Sequence, residues 1–206
     1  MYEKQTKTQL CLIKAIIGKE QKMAKQYVKN DIKETVVALL RQMPLKDISV
    51  KMVVEKCEIN RNTFYYYYED IYGVIKEFLH EQSRKMAENY DEDRSLEDNL
   101  ADAIEHLFAL KEIIANIYYS ASHNILYSFF RDYTDPALNE YIARLSKGRI
   151  IEPEKLKTVT DFCQQAILGV VISWLETGMQ DSFRQDMHRT AVLLEGLVER
   201  IMDGTE

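Results

Sequence analysis

The sequence predicts an all-α fold of about nine helices, and three observations carry that prediction. Only seven Gly and three Pro occur in 206 residues, too few turn formers for a sandwich, a barrel or an α/β enzyme. Leu, Ile, Ala, Glu, Lys and Gln dominate long stretches, which is the composition of helices. The chain is 46% apolar, enough for a real core.

The elements follow in order. Residues 1–25 are rich in Lys and Gln and carry no capping signal, so they read as an extension, either a disordered arm or a loose helix. Met23 opens an ordinary-looking start and is the expected biological initiator. From Asn30, the spacing of Ile32, Val36, Val37, Leu39 and Leu40 predicts a helix capped by Asn30 or Asp31 and ended by Pro44. A short helix follows Ser49, with Val50, Val53, Val54 and Cys57 on one face. Glu58-Ile59 make a turn, a third helix opens at Asn60, and Asp70 caps a fourth reaching about Tyr90. The acidic Asp91–Arg94 stretch reads as a linker. Ser95 with Asp98 suggests a capping box for a helix to about Leu110. Helical patterns continue over 111–120 and 123–146, where Pro136 is expected to kink or split the helix. Pro153 suits the first turn of a long helix to Met179, and Ser182 caps a last one stopping at Gly204. The expected organisation is an extension (1–25), a three-helix head (26–80) and a helical body (81–206).

The net charge is −6, yet it is unevenly spread. Residues 1–80 hold 14 Lys plus Arg against 10 Asp plus Glu, whereas the remainder holds 13 against 23. A basic first third on an acidic remainder suggests a nucleic-acid-binding head on a different body. Three widely spaced cysteines without a CxxC pair imply a reducing cytoplasm, with no disulfide framework and no zinc site. No uninterrupted apolar run of membrane-spanning length occurs, and Leu10–Gly18 makes a poor signal peptide, so no membrane partner is expected. No nucleophile–base constellation, glycine-rich phosphate loop or metal triad is present, so neither an enzyme, a cofactor nor a metal is expected.

Function concentrates between Ile48 and Asp70. Two short helices flank a tight turn, and the second opens with the polar run Asn60, Arg61, Asn62 and Thr63. A helix whose first turn enters the major groove needs such a run, because Arg reads guanine and Asn reads adenine there. Four tyrosines, Tyr65 to Tyr68, then cover every side of the helix, since successive side chains point about 100° apart. Phe64 and Tyr68 are expected to pack inward with Ile59, which leaves Tyr65, Tyr66 and Tyr67 for groove walls or phosphates.

These residues resemble the DNA-binding head of TetR-type repressors, whose pattern is roughly Ala-Gly-Val-Ser-x-x-Thr-Leu/Phe-Tyr-x-x-Phe followed by an acidic-Lys turn. Cys57, Glu58, Ile59, Asn60, Thr63, Phe64, Tyr65 and Tyr68 occupy its places, and Leu45–Val50 looks like the entry to the family's second helix. The likeness covers about residues 27–80. It implies double-stranded DNA as partner, with Ser49 and Lys51 on the backbone, Asn60 to Thr63 on bases or phosphates, and Tyr65 on a phosphate. Two places depart: Glu58 stands where the turn glycine is usual, and Ile71 where the lysine opening the fourth helix is usual. Lys46, Lys51 and the basic arm are candidates to compensate.

The resemblance also implies a homodimer whose body houses an effector site. The run 166–179, apolar nearly all round, and a stripe on the last helix suggest an interface of Leu168, Gly169, Ile172, Leu175, Leu194, Leu197 and Ile201, unless both helices merely fill a monomer core. Tyr119, His123, Tyr127 and Phe130 share one face if the helix is continuous there. They read either as a small-molecule pocket or as ordinary packing between helices. The expected function is a repressor on a palindromic operator with affinity set by a small effector. The alternatives are control by a protein partner, or a helical interaction protein that no longer reads DNA.

Overall fold

A computed structural model describes residues 23, 25–120 and 123–203. Among the described residues the chain is helical, with no strand. Helix α1 covers 25–40. A 3-10 turn at Leu45–Asp47 precedes α2 (Val50–Lys56), α3 (Arg61–Tyr67), α4 (Ile71–Glu88), α5 (Leu96–Ala109), α6 (Lys111–Tyr118), α7 (His123–Ser146), α8 (Pro153–Glu176) and α9 (Phe183–Asp203). The count of nine agrees with the sequence, and so does α7 at both ends.

Local signals explain most helix starts. Ser49, Asn60, Asp70 and Ser95 each sit in extended geometry before a helix, and each side chain accepts a hydrogen bond from a first-turn N–H. Each bond satisfies a donor that the helix itself cannot pair. Pro153 opens α8 as its first residue. Asn30 and Asp31 do not cap α1, however. The helix already runs from Lys25, and Asn30 is held inside it by a bond from Gln26 Nε2 at 3.0 Å. Pro136 does not split α7 either. Pro136 and Asp132, whose carbonyl loses its intrahelical donor, are both exposed, so water can take that carbonyl. Gly204 lies outside the described residues.

Helices α1 to α3 close over Ile32, Val36, Leu40, Val53 and Phe64, each wholly buried. Helix α4 continues without a break across positions 80 and 81. Its first half joins the head through Ile71, Val74 and Ile75, and ion pairs tie it to α1: Lys29 to Glu77 at 2.6 Å and Lys33 to Glu81 at 2.5 Å. The body packs α4 on α7, α7 on α8, α8 on α9 and α9 on α5. Residues 91–94, which read as a linker, are pinned. Asn99, nearly buried, exchanges bonds with both backbone groups of Asp91 at 2.9 Å, Arg144 donates to the Arg94 carbonyl, and Glu195 of α9 accepts from Leu96 N at 2.6 Å.

The α8–α9 corner is locked by rings. Trp174 stacks on Phe183 at 4.6 Å, and Arg184 lies 3.7 Å over Phe108 while holding Glu105 through two bonds of 2.6 and 3.1 Å. Tyr133 is buried in the body, and burial pushes its phenol up to about 12, so it stays neutral.

Candidate functional site

The turn between α2 and α3 sets the geometry of the head. Glu58 takes φ +52°, the left-handed region that favours glycine. Cys57 closes the other side of that turn, its thiol donating to Thr35 Oγ1 at 3.2 Å, and burial pushes its pKa up, so it remains a thiol. Helix α3 then turns Phe64 and Tyr68 into the core and leaves Tyr65 and Tyr66 outside, 55% and 65% exposed. Tyr67 is half-buried with its ring edge-on to Tyr66 at 4.9 Å. Phe64, Tyr68, Tyr65 and Tyr66 sort as expected, whereas Tyr67, expected outside, packs partly against the core.

The polar opening of α3 divides in two. Asn60 Oδ1 accepts from Thr63 N at 2.8 Å and from Thr63 Oγ1 at 3.1 Å, so both side chains serve the cap. Arg61 and Asn62 are exposed and have no protein partner among the described residues. Ser49 Oγ is likewise occupied with Met52 N at 3.3 Å. Lys51 is exposed, with Glu55 at 3.8 Å one turn on, a pair too exposed and long to neutralise it firmly. Lys25 Nζ donates to Tyr66 Oη at 3.0 Å and sits over its ring, so the start of α1 lies beside the outer side of α3.

Helix α6 reaches from the body into the head. Asn116 Nδ2 donates to the Leu40 carbonyl at the end of α1 at 2.7 Å, and Ser120 Oγ accepts from Lys46 N at 3.2 Å. No residue pattern signals these contacts. Their head-side partners are backbone groups more than 70 residues away, and backbone groups leave no residue-type signature.

Among the described residues, side chains of the body close in around its centre. Its central void, walled by Leu100, Ile104, Phe129, Tyr133, Ile167 and Met187 among others, measures about 20 Å³, room for about one water. A larger groove of about 230 Å³ opens between the α6–α7 junction and α8. Tyr127 and Phe130 line it, as expected, but Tyr119 does not; Tyr118 takes that place. The reason is the break between helices. Helix α6 ends at Tyr118, and Tyr119 caps it, 61% exposed, instead of continuing the face of α7. The side chain of His123 lies outside the described residues. Asn124, Leu126, Leu168, Ile172, Leu175 and Glu176 complete the groove. The 168–172–175 spacing is the sequence signal for the α8 wall, and the same spacing fits the interface stripe expected above. No group of three His, Cys, Asp or Glu is placed to hold a metal among the described residues.

Comparison with known proteins places the chain in a family. A TetR model described as a transcriptional regulator C-terminal region matches residues 94–196, half of the chain. The chain belongs to the TetR family of transcriptional regulators. A 48-residue stretch is 33% identical to the uncharacterized HTH-type transcriptional regulator YxbF of Bacillus subtilis, spanning 23% of this chain and only 13% of that relative. The crystal structure of a TetR transcriptional regulator from Streptococcus agalactiae superposes with a TM-score of 0.61 at 18% identity, covering 87% of this chain and 98% of that one. At that identity the match speaks for the fold.

Within a TetR-family frame, the two departures acquire physical content. Glu58 accepts the left-handed turn in place of glycine. Ile71 is 6% exposed and belongs to the core, so no cation can stand in for the usual lysine there. The expected interface stripe needs correction. Leu168, Leu175 and Leu194 are at most 4% exposed within the single chain, so a partner subunit could bury nothing more of them. Gly169 and Ile172 do face out, and Leu197 and Ile201 are half-buried. The open apolar positions of this surface are Phe162, Ile172, Val192 and Leu193. By length and composition α8 could also cross a membrane, but it is packed against α7 and α9, with 44% of its most apolar window buried.

Proposed function

We propose that this TetR-family regulator is a cytoplasmic homodimer that binds a palindromic operator in double-stranded DNA and represses transcription until an effector binds the body. The observation that carries the reading is the exposed, unpartnered pair Arg61 and Asn62 on the first turn of α3. In the major groove Arg61 is suited to guanine and Asn62 to adenine. Lys51 and the hydroxyls of Tyr65 and Tyr66 rim the same surface for phosphates. Ser49, Asn60 and Thr63 act by holding the two helix starts, with the Asn60 amide nitrogen left for an outward bond. Tyr67, half-buried, braces Tyr66.

Dimerisation is supported by the outer face of α8 and α9. A Cβ at Gly169 or Gly196 would meet nothing within 4 Å inside the chain, so the fold of one subunit does not require glycine there. Close approach of a second helix does. With Phe162, Ile172, Val192 and Leu193, these positions suit a four-helix isologous interface. The head (26–80) and body (81–206) would then be coupled through α4 and through the bonds of α6 to Leu40 and Lys46, so that an effector shifts the spacing of the two recognition helices.

A second reading concerns the effector. The small central void favours a protein partner acting on the outer surface of the body over a small molecule enclosed there. The groove beside α8 keeps the small molecule in contention.

The test is fluorescence anisotropy of labelled DNA from upstream of the gene, titrated at two salt concentrations beside a scrambled duplex. Tight, salt-sensitive binding that falls by about 5-fold to 150-fold in Arg61→Ala, a loss of about 1–3 kcal/mol, is the expected result. Equal weak binding to native and scrambled duplexes, with no enriched fragment in a genome-wide selection, points to an interaction protein instead.

A further inference from the structure

We propose that Lys25 of α1 and Tyr66 of α3 together clamp one backbone phosphate of the operator, which makes the first helix part of the DNA contact. This rests on the operator reading above and adds a residue from outside α2 and α3. The case starts from the charge pattern of α1. Lys25, Lys29 and Lys33 recur every four residues, so they share one face of the helix. From α4, Glu77 pairs with Lys29 at 2.6 Å and Glu81 with Lys33 at 2.5 Å. Continuing that register back by four residues on each helix sets position 73 against Lys25, and position 73 is glycine. Lys25 is thus the lysine of the stripe that α4 leaves over, with no carboxylate partner among the described residues.

Lys25 meets α3 instead. Its Nζ donates to Tyr66 Oη at 3.0 Å and lies 5.4 Å from the centre of the Tyr66 ring. That bond uses a lone pair of the hydroxyl and one of the three ammonium N–H groups, so the Tyr66 O–H and two N–H groups of Lys25 stay free to donate. Both side chains are exposed, and Tyr67 packs edge-on against the Tyr66 ring at 4.9 Å. Tyr66 stands one turn beyond Asn62 on the same face of α3. A phosphate at the wall of the groove that Asn62 reads therefore meets a hydroxyl and an ammonium 3.0 Å apart, held from two different helices. A long lysine side chain loses rotamer freedom on binding. Here the bond to Tyr66 orders it before DNA arrives.

The experiment follows anisotropy of the native and scrambled duplexes over a series of salt concentrations, with the full chain and with Lys25→Met, Tyr66→Phe and the double variant. Lys25→Met is expected to flatten the fall of log affinity with log salt by about 0.9 for each subunit bound, the value for one phosphate. Affinity drops by the same factor on both duplexes, because a phosphate contact carries no sequence information. Arg61→Ala instead lowers the native-to-scrambled ratio. Lys25→Arg keeps the slope, since the charge remains. In the Tyr66→Phe background, Lys25→Met is expected to cost less than in the unaltered chain by about twofold or more, the coupling of two groups in contact. A slope untouched by Lys25→Met, a loss confined to the native duplex, or losses that multiply independently in the double variant each overturn the proposal. The two failures are distinct. Binding without any salt slope in the unaltered chain removes the operator reading and the clamp with it, whereas a slope that survives Lys25→Met removes the clamp alone.

Discussion

The head and the body of this protein place their candidate functional residues on opposite sides of the packing problem. In the head, the residues proposed to meet DNA are those the core does not use. Phe64 and Tyr68 go inward, and Arg61, Asn62, Tyr65 and Tyr66 are left out. In the body, the central void among the described residues is only about 20 Å³, and one of the open grooves is walled by residues that also serve the core, among them Phe130, Leu168 and Leu175. A reading surface of leftover polar side chains can change without disturbing the fold. A groove made of core residues cannot, so a change in its lining is tied to stability in a way that a change on the outer face of α3 is not.

Four changes test that contrast, in decreasing order of expected effect. Phe64→Ala removes a wholly buried ring beside the reading surface and is expected to cost about 3–5 kcal/mol. Urea denaturation followed by circular dichroism checks it, and a loss near that of an exposed site would mean the head core is not as tight as its burial implies. Leu193→Arg, at a position 73% exposed in one subunit, is expected to leave each subunit folded but weaken a dimer by about 2 kcal/mol, roughly 30-fold. Sedimentation velocity across a dilution series decides that, an unchanged dimer placing the interface elsewhere.

The third change probes strain in the head. Glu58→Gly relieves a left-handed residue that costs about 1–2 kcal/mol with a side chain. Allowing for the extra unfolded-state entropy of glycine, a net gain of about 0.5–1 kcal/mol is expected in the denaturation midpoint. The substitution also removes an anionic group near α3, so operator affinity should rise and not fall.

The smallest effect lies in the body. His106, hydrogen-bonded to Gln82 Oε1 at 3.2 Å, has its pKa lowered from the ordinary 6.5 by burial and then by the charge of Lys85. The folded state therefore prefers the neutral ring. Its contribution to stability is present in full above the ordinary value and is lost as pH falls through the folded value. His106→Gln is expected to flatten the stability–pH curve on the acid side of neutrality, measured as thermal midpoints from pH 5 to 8; a curve of unchanged slope would assign the acid loss to carboxylates.

By itself the sequence determined the helical class, most helix starts and the inward or outward fate of most of the aromatic run. All of these depend on neighbours within about four residues: a cap oxygen and the N–H three positions on, or the 100° step between successive side chains. Asn30, Asp31 and Tyr119 mark the limit of that logic. Each sits at a place where local pattern allowed a cap or a continued face, and the length of α1 and the break after α6 decided otherwise. Tertiary structure alone decided which face of α8 is spare. A helix apolar all round carries no record of which side its own chain will cover, and α7 and α9 took Leu168 and Leu175 while leaving Gly169 and Ile172 outside. It also decided how head and body join, because the partners of Asn116 and Ser120 are backbone groups, and every residue has those.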